Sequence, residues 1–197
     1  MRIGRRGGIN NLNFTKKRRK IDYNKIKYII TWIGEIAIVV FLAYVIVIFF
    51  GMRTSVIGNS MSETLSDGDN ILIDRFIYKL KDPKQGDIVV FKPNGSLKSN
   101  YNIKRVIAVP GDKVQIVDGV VYVNDSPIEE EVEVEEIEDA ALAEEEITLG
   151  EDEYFVLGDN RNNSEDSRYA SIGNVSKEYI VGKAWFCIAP FSNIGKL

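Results

Sequence analysis

Histidine is absent from this 197-residue chain, and cysteine occurs once. Without imidazole, a nucleophilic serine or cysteine has lost its usual base, so a Ser-His-Asp triad is excluded. The same absence removes the commonest nitrogen ligand from any metal site. A lone Cys187 can build neither a Cys-rich zinc site nor an internal disulfide. No cofactor motif is found, and neither a cofactor nor a metal is expected. Cys187 lies in the apolar run "AWFCIAP" and reads as a packed core thiol. Hydrolytic chemistry, if there is any, must run on Ser, Thr, Lys, Asp, Glu or Tyr.

Acid is scarce at the N-terminus. Up to Lys27 there are ten Lys or Arg against one acid, Asp22, whereas from Arg53 onward there are 15 basic residues against 27 acidic ones, a net of −12. Between these stretches charge itself is missing: "YIITWIGEIAIVVFLAYVIVIFFGM", residues 28–52, holds only Glu35. At a rise of about 1.5 Å per residue this run can cross a hydrocarbon core of about 30 Å. It is too long for the apolar core of a secretory signal peptide, about 7–15 residues. The expected organisation is a basic tail at 1–27, a transmembrane helix at 28–52 and an extracytoplasmic domain at 53–197. The cluster "KKRRK", residues 16–20, orients the span with its N-terminus in the cytoplasm and the domain outside. That predicts a single-pass protein of the cell membrane with the lipid bilayer as partner. A nucleic-acid reading of "KKRRK" gives way beside a membrane span. Glu35 falls within about two turns of the cytoplasmic end, where it can snorkel or be protonated.

Beyond residue 53 the pattern turns to short strands. "NILIDRF" and "DIVVFKP" are β-branched or apolar runs bounded by Asp, Gly and Pro. "KVQIVDGVVYVNDSPI" alternates on both sides of Asp118-Gly119, a strong hairpin signal. "EYFVLGD" and "IVGKAWFCIAP" read as further strands, and helical period is lacking apart from a turn near "SKEY". The fold class expected is mainly β, a coiled or barrel-like β domain, barrel or sandwich, behind one N-terminal transmembrane helix. An acidic insertion is expected at about 125–150. Its centre, residues 129–146, carries eleven acids in eighteen residues and reads as a solvated or mobile excursion.

Three polar clusters stand beside strands: "GNSMSETL" around Ser60, "YNIKRVIAVPGDKV" around Lys104, and "LGDNRNNSEDSRYASIG" at 157–173. Taken singly, each fits a plain turn or a surface ion pair. Chemistry joins them, because lysine is the known substitute where a serine nucleophile has no histidine. An ordinary lysine, with a pKa near 10.4, is protonated at neutral pH. Burial disfavours the ammonium and can bring a catalytic lysine to about 7–8. The apolar flank "RVIAVP" after Lys104 is a setting that can impose this.

"SMSETL", "YNIKRVIAVPGDKV" and "GDNRNNSEDSR", in that order behind an N-terminal anchor, resemble the type I signal peptidases, in particular their single-anchor Gram-positive branch. The resemblance covers most of residues 28–190. It implies a membrane-bound serine endopeptidase that removes signal peptides from exported preproteins after small residues, in A-x-A-like sites. It also implies a largely β core with a variable insertion between the lysine and "GDN" segments, where the acidic run falls. Position by position, Ser60 matches the nucleophile and Lys104 the general base, with the Ser60 N–H in the oxyanion hole. Ser164 corresponds to a serine that orients the lysine, Asp166 and Arg168 to a supporting ion pair, and Asp159 and Asn160 to structural positions. Gly58 falls where Gram-negative members carry a hydroxyl that helps hold the oxyanion. Signal peptides of preproteins are the partners implied, and contact with the export machinery is left open.

Two positions depart from the family pattern. Glu63 stands where proline is usual, and Asn162 where a second aspartate is usual. They are the support for an alternative, a membrane-tethered β binding or assembly module of peptidase descent with little activity. Self-cleaving repressors use the same Ser/Lys logic, but they carry a DNA-binding domain where this chain has its span. From Arg53 to Ser60 is at most about 25 Å of extended chain, which keeps the nucleophile close to the membrane. An extended substrate lying against a strand edge is expected, with Val56, Ile57 and Ile103 as candidates to line its pockets.

Overall fold

The computed structural model describes residues 23–45 in full, the backbone of 46–50, and residues 52–96, 99–130 and 132–197. The basic cluster at 16–20 is outside the described residues. Helix α1 spans Tyr23–Phe50, and its stretch Tyr23–Val45, with mean hydropathy 2.1, is long and apolar enough to cross a membrane. It starts ahead of the apolar run because 23–27 holds no Gly or Pro to stop it. Within this unit its isoleucine, valine and phenylalanine side chains are exposed on all sides. A helix apolar all round needs an apolar surround, which water does not provide.

The remainder is mainly β, as the strand pattern predicts, and is built from two antiparallel sheets. In chain order the strands are β1 (Met52–Ser55), β2 (Asn70–Asp74), β3 (Ile88–Phe91), β4 (Asn102–Ala108), β5 (Lys113–Val117), β6 (Val120–Val123), β7 (Ser126–Pro127), β8 (Ile147–Thr148), β9 (Glu153–Leu157), β10 (Val175–Ser176), β11 (Ile180–Ala189) and β12 (Gly195–Lys196). The larger sheet runs β1-β2-β11-β3-β4-β9-β10, with β12 beside β11, and the smaller one runs β7-β6-β5-β8. A short helix, α2 (Ile77–Leu80), and a 3-10 turn at Lys177–Tyr179 interrupt them.

Strand β4 organises the core. Its residues from Ile103 to Ala108 are all buried, so the strand has no solvent face, consistent with its nearly continuous apolar run. Ile103 packs with Val56, Met61, Leu65, Ile71, Ile73 and Cys187. Ile107 and Ala108 pack with Phe155, Leu157 and the smaller sheet, while Val106 joins Phe91, Tyr154 and Val156. Cys187 is the core thiol expected of it, buried within the first of these clusters.

The β5–β6 hairpin turns at Asp118 and Gly119, with φ of 50° and 79°. Positive φ at both central residues is what this tight turn requires. A methyl group on Gly119 would also stand 3.2 Å from the Ile137 carbonyl. Gly119→Ala is expected to destabilise the protein by about 1–2 kcal/mol, the cost of holding an L-residue in the left-handed region. The check is a lower urea midpoint with an unchanged slope.

The acidic stretch differs from the solvated excursion expected of it. Most of its described charges are exposed, but Ile137 and Ala143 are buried against β5, β6 and Phe155. The Ile137 N–H donates to the Gly119 carbonyl at 3.1 Å, and a 3-10 turn covers Ala141–Glu144. A few apolar side chains and backbone bonds are enough to dock a segment whose composition is that of a solvated tail.

Candidate active site

Ser60 follows β1 in a turn closed by Ser62 N–H to the Asn59 carbonyl (3.1 Å) and Thr64 N–H to the Met61 carbonyl (2.8 Å). Met61 and Leu65, 1% and 0% exposed, anchor the turn in the core, so its backbone closes without proline at position 63. Glu63 is exposed, and its carboxylate accepts from the Ser62 hydroxyl at 3.4 Å.

Lys104 comes from β4, where it pairs in register with Val89. Its Nζ lies 2.6 Å from Ser60 Oγ in a hydrogen bond. The lysine is only 4% exposed. Burial pushes its amine down from 10.5 to about 8, against the opposing negative charges of Asp166 and Glu165. A fraction of the side chain is therefore neutral near pH 7, and a neutral amine can take a proton from the hydroxyl it touches.

The third cluster leaves the end of β9, which lies next to β4 with Arg105 opposite Leu157. That pairing delivers Gly158, Asp159 and Asn160 to the Ser60 turn. Asn160 donates its backbone N–H to the Ser60 carbonyl (3.1 Å) and its amide to the Asn59 carbonyl (3.1 Å) and Ser62 Oγ (2.9 Å). Asp159, fully buried, takes both Nε and Nη2 of Arg105 (2.8 and 2.7 Å) and the Thr64 hydroxyl (2.5 Å). Asp166 and Arg168 form a second buried bidentate pair (2.9 and 3.0 Å), and Asp166 also accepts the Gly158 N–H at 3.1 Å. Buried charges of this kind persist only when paired.

Two sites differ from the simplest picture. The Ser164 hydroxyl is buried with no hydrogen-bond partner among the described residues, so no bond joins it to Lys104 here. Gly58, exposed at φ 86°, gives its N–H to Asp67 Oδ1 at 2.8 Å rather than to the Ser60 region. The N–H of Ser60 donates to no acceptor among the described residues. Of the pocket candidates, Val56 and Ile103 belong to the core at 4% and 7% exposure, whereas Ile57 is 72% exposed.

The sequence reading missed Thr64, Arg105, Gly158, Arg161 and Glu130. Arg161 is 1% exposed at its side chain, and its Nη1 and Nη2 hold both oxygens of Glu130 at 2.6 and 2.8 Å. Arg161 and Gly158 lie inside the "GDNR" run, which is the signal that could have found them. Among the described residues there is no group of three or more His, Cys, Asp or Glu placed to hold a metal ion.

The family described as "Signal peptidase, peptidase S26" matches residues 29–189, a span that includes every residue of this site. The chain belongs to that family. A probable signal peptidase I-2 of Synechocystis is 37% identical over 77% of this chain and 72% of its own length. A signal peptidase I of Bacillus licheniformis is 33% identical over 88% of this chain and 95% of its own. A signal peptidase I P of Bacillus subtilis subsp. natto is 34% identical over 92% and 97%. Membership makes this a serine peptidase, a hydrolase of peptide bonds.

Proposed function

We propose that the protein removes N-terminal signal peptides from exported preproteins, with Ser60 as nucleophile and Lys104 as general base, cutting after small residues in A-x-A-like sites. The observation that carries this reading is the 2.6 Å bond between Ser60 Oγ and the buried Lys104 amine. Neutral Lys104 takes the hydroxyl proton as Oγ attacks the scissile carbonyl carbon. The developing oxyanion meets the unused Ser60 N–H. The ammonium then protonates the leaving amine, and the acyl-enzyme ester forms. Water, deprotonated by the same lysine, attacks the ester carbonyl, and the ammonium so formed returns a proton to Oγ as the ester bond breaks and the acyl product leaves.

Ser164 fits the part of orienting the amine, since a buried hydroxyl without a partner is costly to leave so. Asp159, Asn160, Asp166 and Arg168 hold the loop that carries it, and Gly58 shapes the turn. Helix α1 serves as the membrane anchor, with the N-terminus cytoplasmic and the β domain outside, and residues 53–197 form the catalytic domain. The inactive-module reading leans on Glu63 and Asn162, and neither bonds to Lys104 among the described residues. Preprotein with an Ala-x-Ala site, incubated with the detergent-solubilised protein, tests the reading. Mass spectrometry should find one new N-terminus directly after that site, and none with Ser60→Ala. Cleavage elsewhere, or by the Ser60→Ala protein, would sink it.

A further inference from the structure

The acidic stretch meets the site loop through defined bonds. Glu130 pairs with both terminal nitrogens of Arg161 at 2.6 and 2.8 Å. Asn162 donates its amide to the Glu136 carbonyl at 3.0 Å and accepts the Glu138 N–H at 3.0 Å, with Glu135 Oε2 at 3.4 Å from the same amide nitrogen. Arg168 donates to the Asp139 carbonyl at 3.1 Å, and the Leu142 N–H donates back to the Arg168 carbonyl at 3.1 Å. On the reading of Ser60 and Lys104 given above, we infer that Glu130 and the stretch 132–142 form a strap that positions the site loop for catalysis, with Glu130 and Asn162 as positioning residues.

Charge pairing gives the first reason. Three arginines are buried around the site: Arg105, Arg161 and Arg168. Arg105 is matched by Asp159 and Arg168 by Asp166, both from the loop itself, whereas Arg161 is matched by a carboxylate from the strap. A buried guanidinium stripped of its partner does not hold its place. Arg161 Nε also donates to the Gly158 carbonyl at 3.2 Å, and Gly158 is wedged against the Ser60 carbonyl and Ser164 Oγ. The line of contact therefore runs from Glu130 through Arg161 and Gly158 to the nucleophile's own backbone.

The chemistry of position 162 gives the second. The strap offers this side chain acceptors, the Glu136 carbonyl and Glu135 Oε2, and a donor, the Glu138 N–H. A carboxamide answers both, while a carboxylate can only accept and would face Glu135 as a like charge. The departure from the usual aspartate is thus explained by the acidic strap that this chain lays over it.

The test uses the full chain in detergent on the Ala-x-Ala preprotein. Asn162→Asp should lower kcat about tenfold with KM within twofold. It should also move the acid limb of the kcat/KM profile upward by about one pH unit, since a loosened loop lets water reach Lys104, which otherwise faces Asp159, Glu165, Asp166 and Arg168. Glu135→Gln alone should stay within twofold of the parent. Combined with Asn162→Asp it places an amide donor opposite the new carboxylate, and should return part of the lost kcat. A normal kcat and acid limb in Asn162→Asp, or no recovery in the double variant, overturns the proposal. If Asn162→Asp fails to fold, Glu130→Gln is read by the same kcat and acid-limb criteria. Ser60→Ala runs alongside: inactive there but normal Asn162→Asp removes the strap and leaves the dyad, whereas an active Ser60→Ala removes both.

Discussion

Lys104→Met is expected to lower kcat/KM by about 10⁴-fold or more, the loss that follows from its proposed part as general base, and to make the protein more stable at pH 7. The two effects share one cause. The lysine is buried on β4, and burial holds its amine at about 8 instead of 10.5. Between those values the unfolded chain binds a proton that the folded chain does not, so stability rises with pH across that window. Below about pH 8 both states bind it, and the folded protein carries the full cost, about 3 kcal/mol at 1.36 per pH unit. Methionine fills a similar volume without charge and forgoes only the bond to Ser60, about 1 kcal/mol. The net gain at pH 7 is then about 2 kcal/mol, shrinking above pH 8 and gone towards pH 10.5. Urea unfolding of parent and variant at pH 7 and pH 10 measures it. A variant less stable than the parent at pH 7 would mean the amine is not under strain there, and the explanation of its basicity would fall. The parent's own kcat/KM should drop tenfold per pH unit below about 8 as the amine protonates.

The elements legible in the sequence were those with a local cause. The β-branched runs became β2, β3 and β9, and Asp118-Gly119 became the β5–β6 turn, because alternation and a turn dipeptide act over a few residues. β1 was not legible: "MRTS" has no strand signature, and its pairing with β2 is set by tertiary contact. In the site, the three polar clusters announced themselves by order and composition. Arg105, Thr64 and Glu130 did not, because their roles depend on partners far along the chain, Arg105 to Asp159 over 54 residues and Arg161 to Glu130 over 31. The acidic stretch misled for a related reason. Composition reports side-chain charge, whereas the strap is held largely by its backbone groups at 136, 138, 139 and 142, which every sequence possesses. Val56 and Ile103 were expected to line pockets, but both are buried in the core with Met61, Leu65 and Cys187.

Gly158→Ala should also slow the enzyme, though less than loss of the lysine, for a reason invisible in the chemistry of the side chains. Gly158 has no need of glycine's backbone freedom; what it needs is the missing Cβ. A methyl group there would overlap the Ser60 carbonyl and Ser164 Oγ and stand 2.6 Å from Ser164 Cβ. Real Cβ atoms do not make such approaches, so something must move. On one side is the backbone of Ser60, fixed by Asn160 N–H at 3.1 Å. On the other is the loop held by Asp166 through the Gly158 N–H at 3.1 Å and by Arg161 through the Gly158 carbonyl at 3.2 Å. Neither is the far end of a flexible side chain. The two serines must separate, and a shift of about 1 Å in a reacting group costs about 10²-fold in rate. Turnover is therefore expected to slow by about 10²-fold or more. The 2.6 Å contact of Ser60 with Lys104 should be lost. Overpacking of this kind also lowers stability by about 1–3 kcal/mol, so urea unfolding must accompany the kinetics. A Gly158→Ala protein that turns over as fast as its parent would show that the strand β9 exit is looser than its bonds imply. A loss of turnover beyond what the fraction unfolded accounts for would show that the close approach of these two loops, as much as the proposed Ser60–Lys104 dyad, sets the geometry of the reaction.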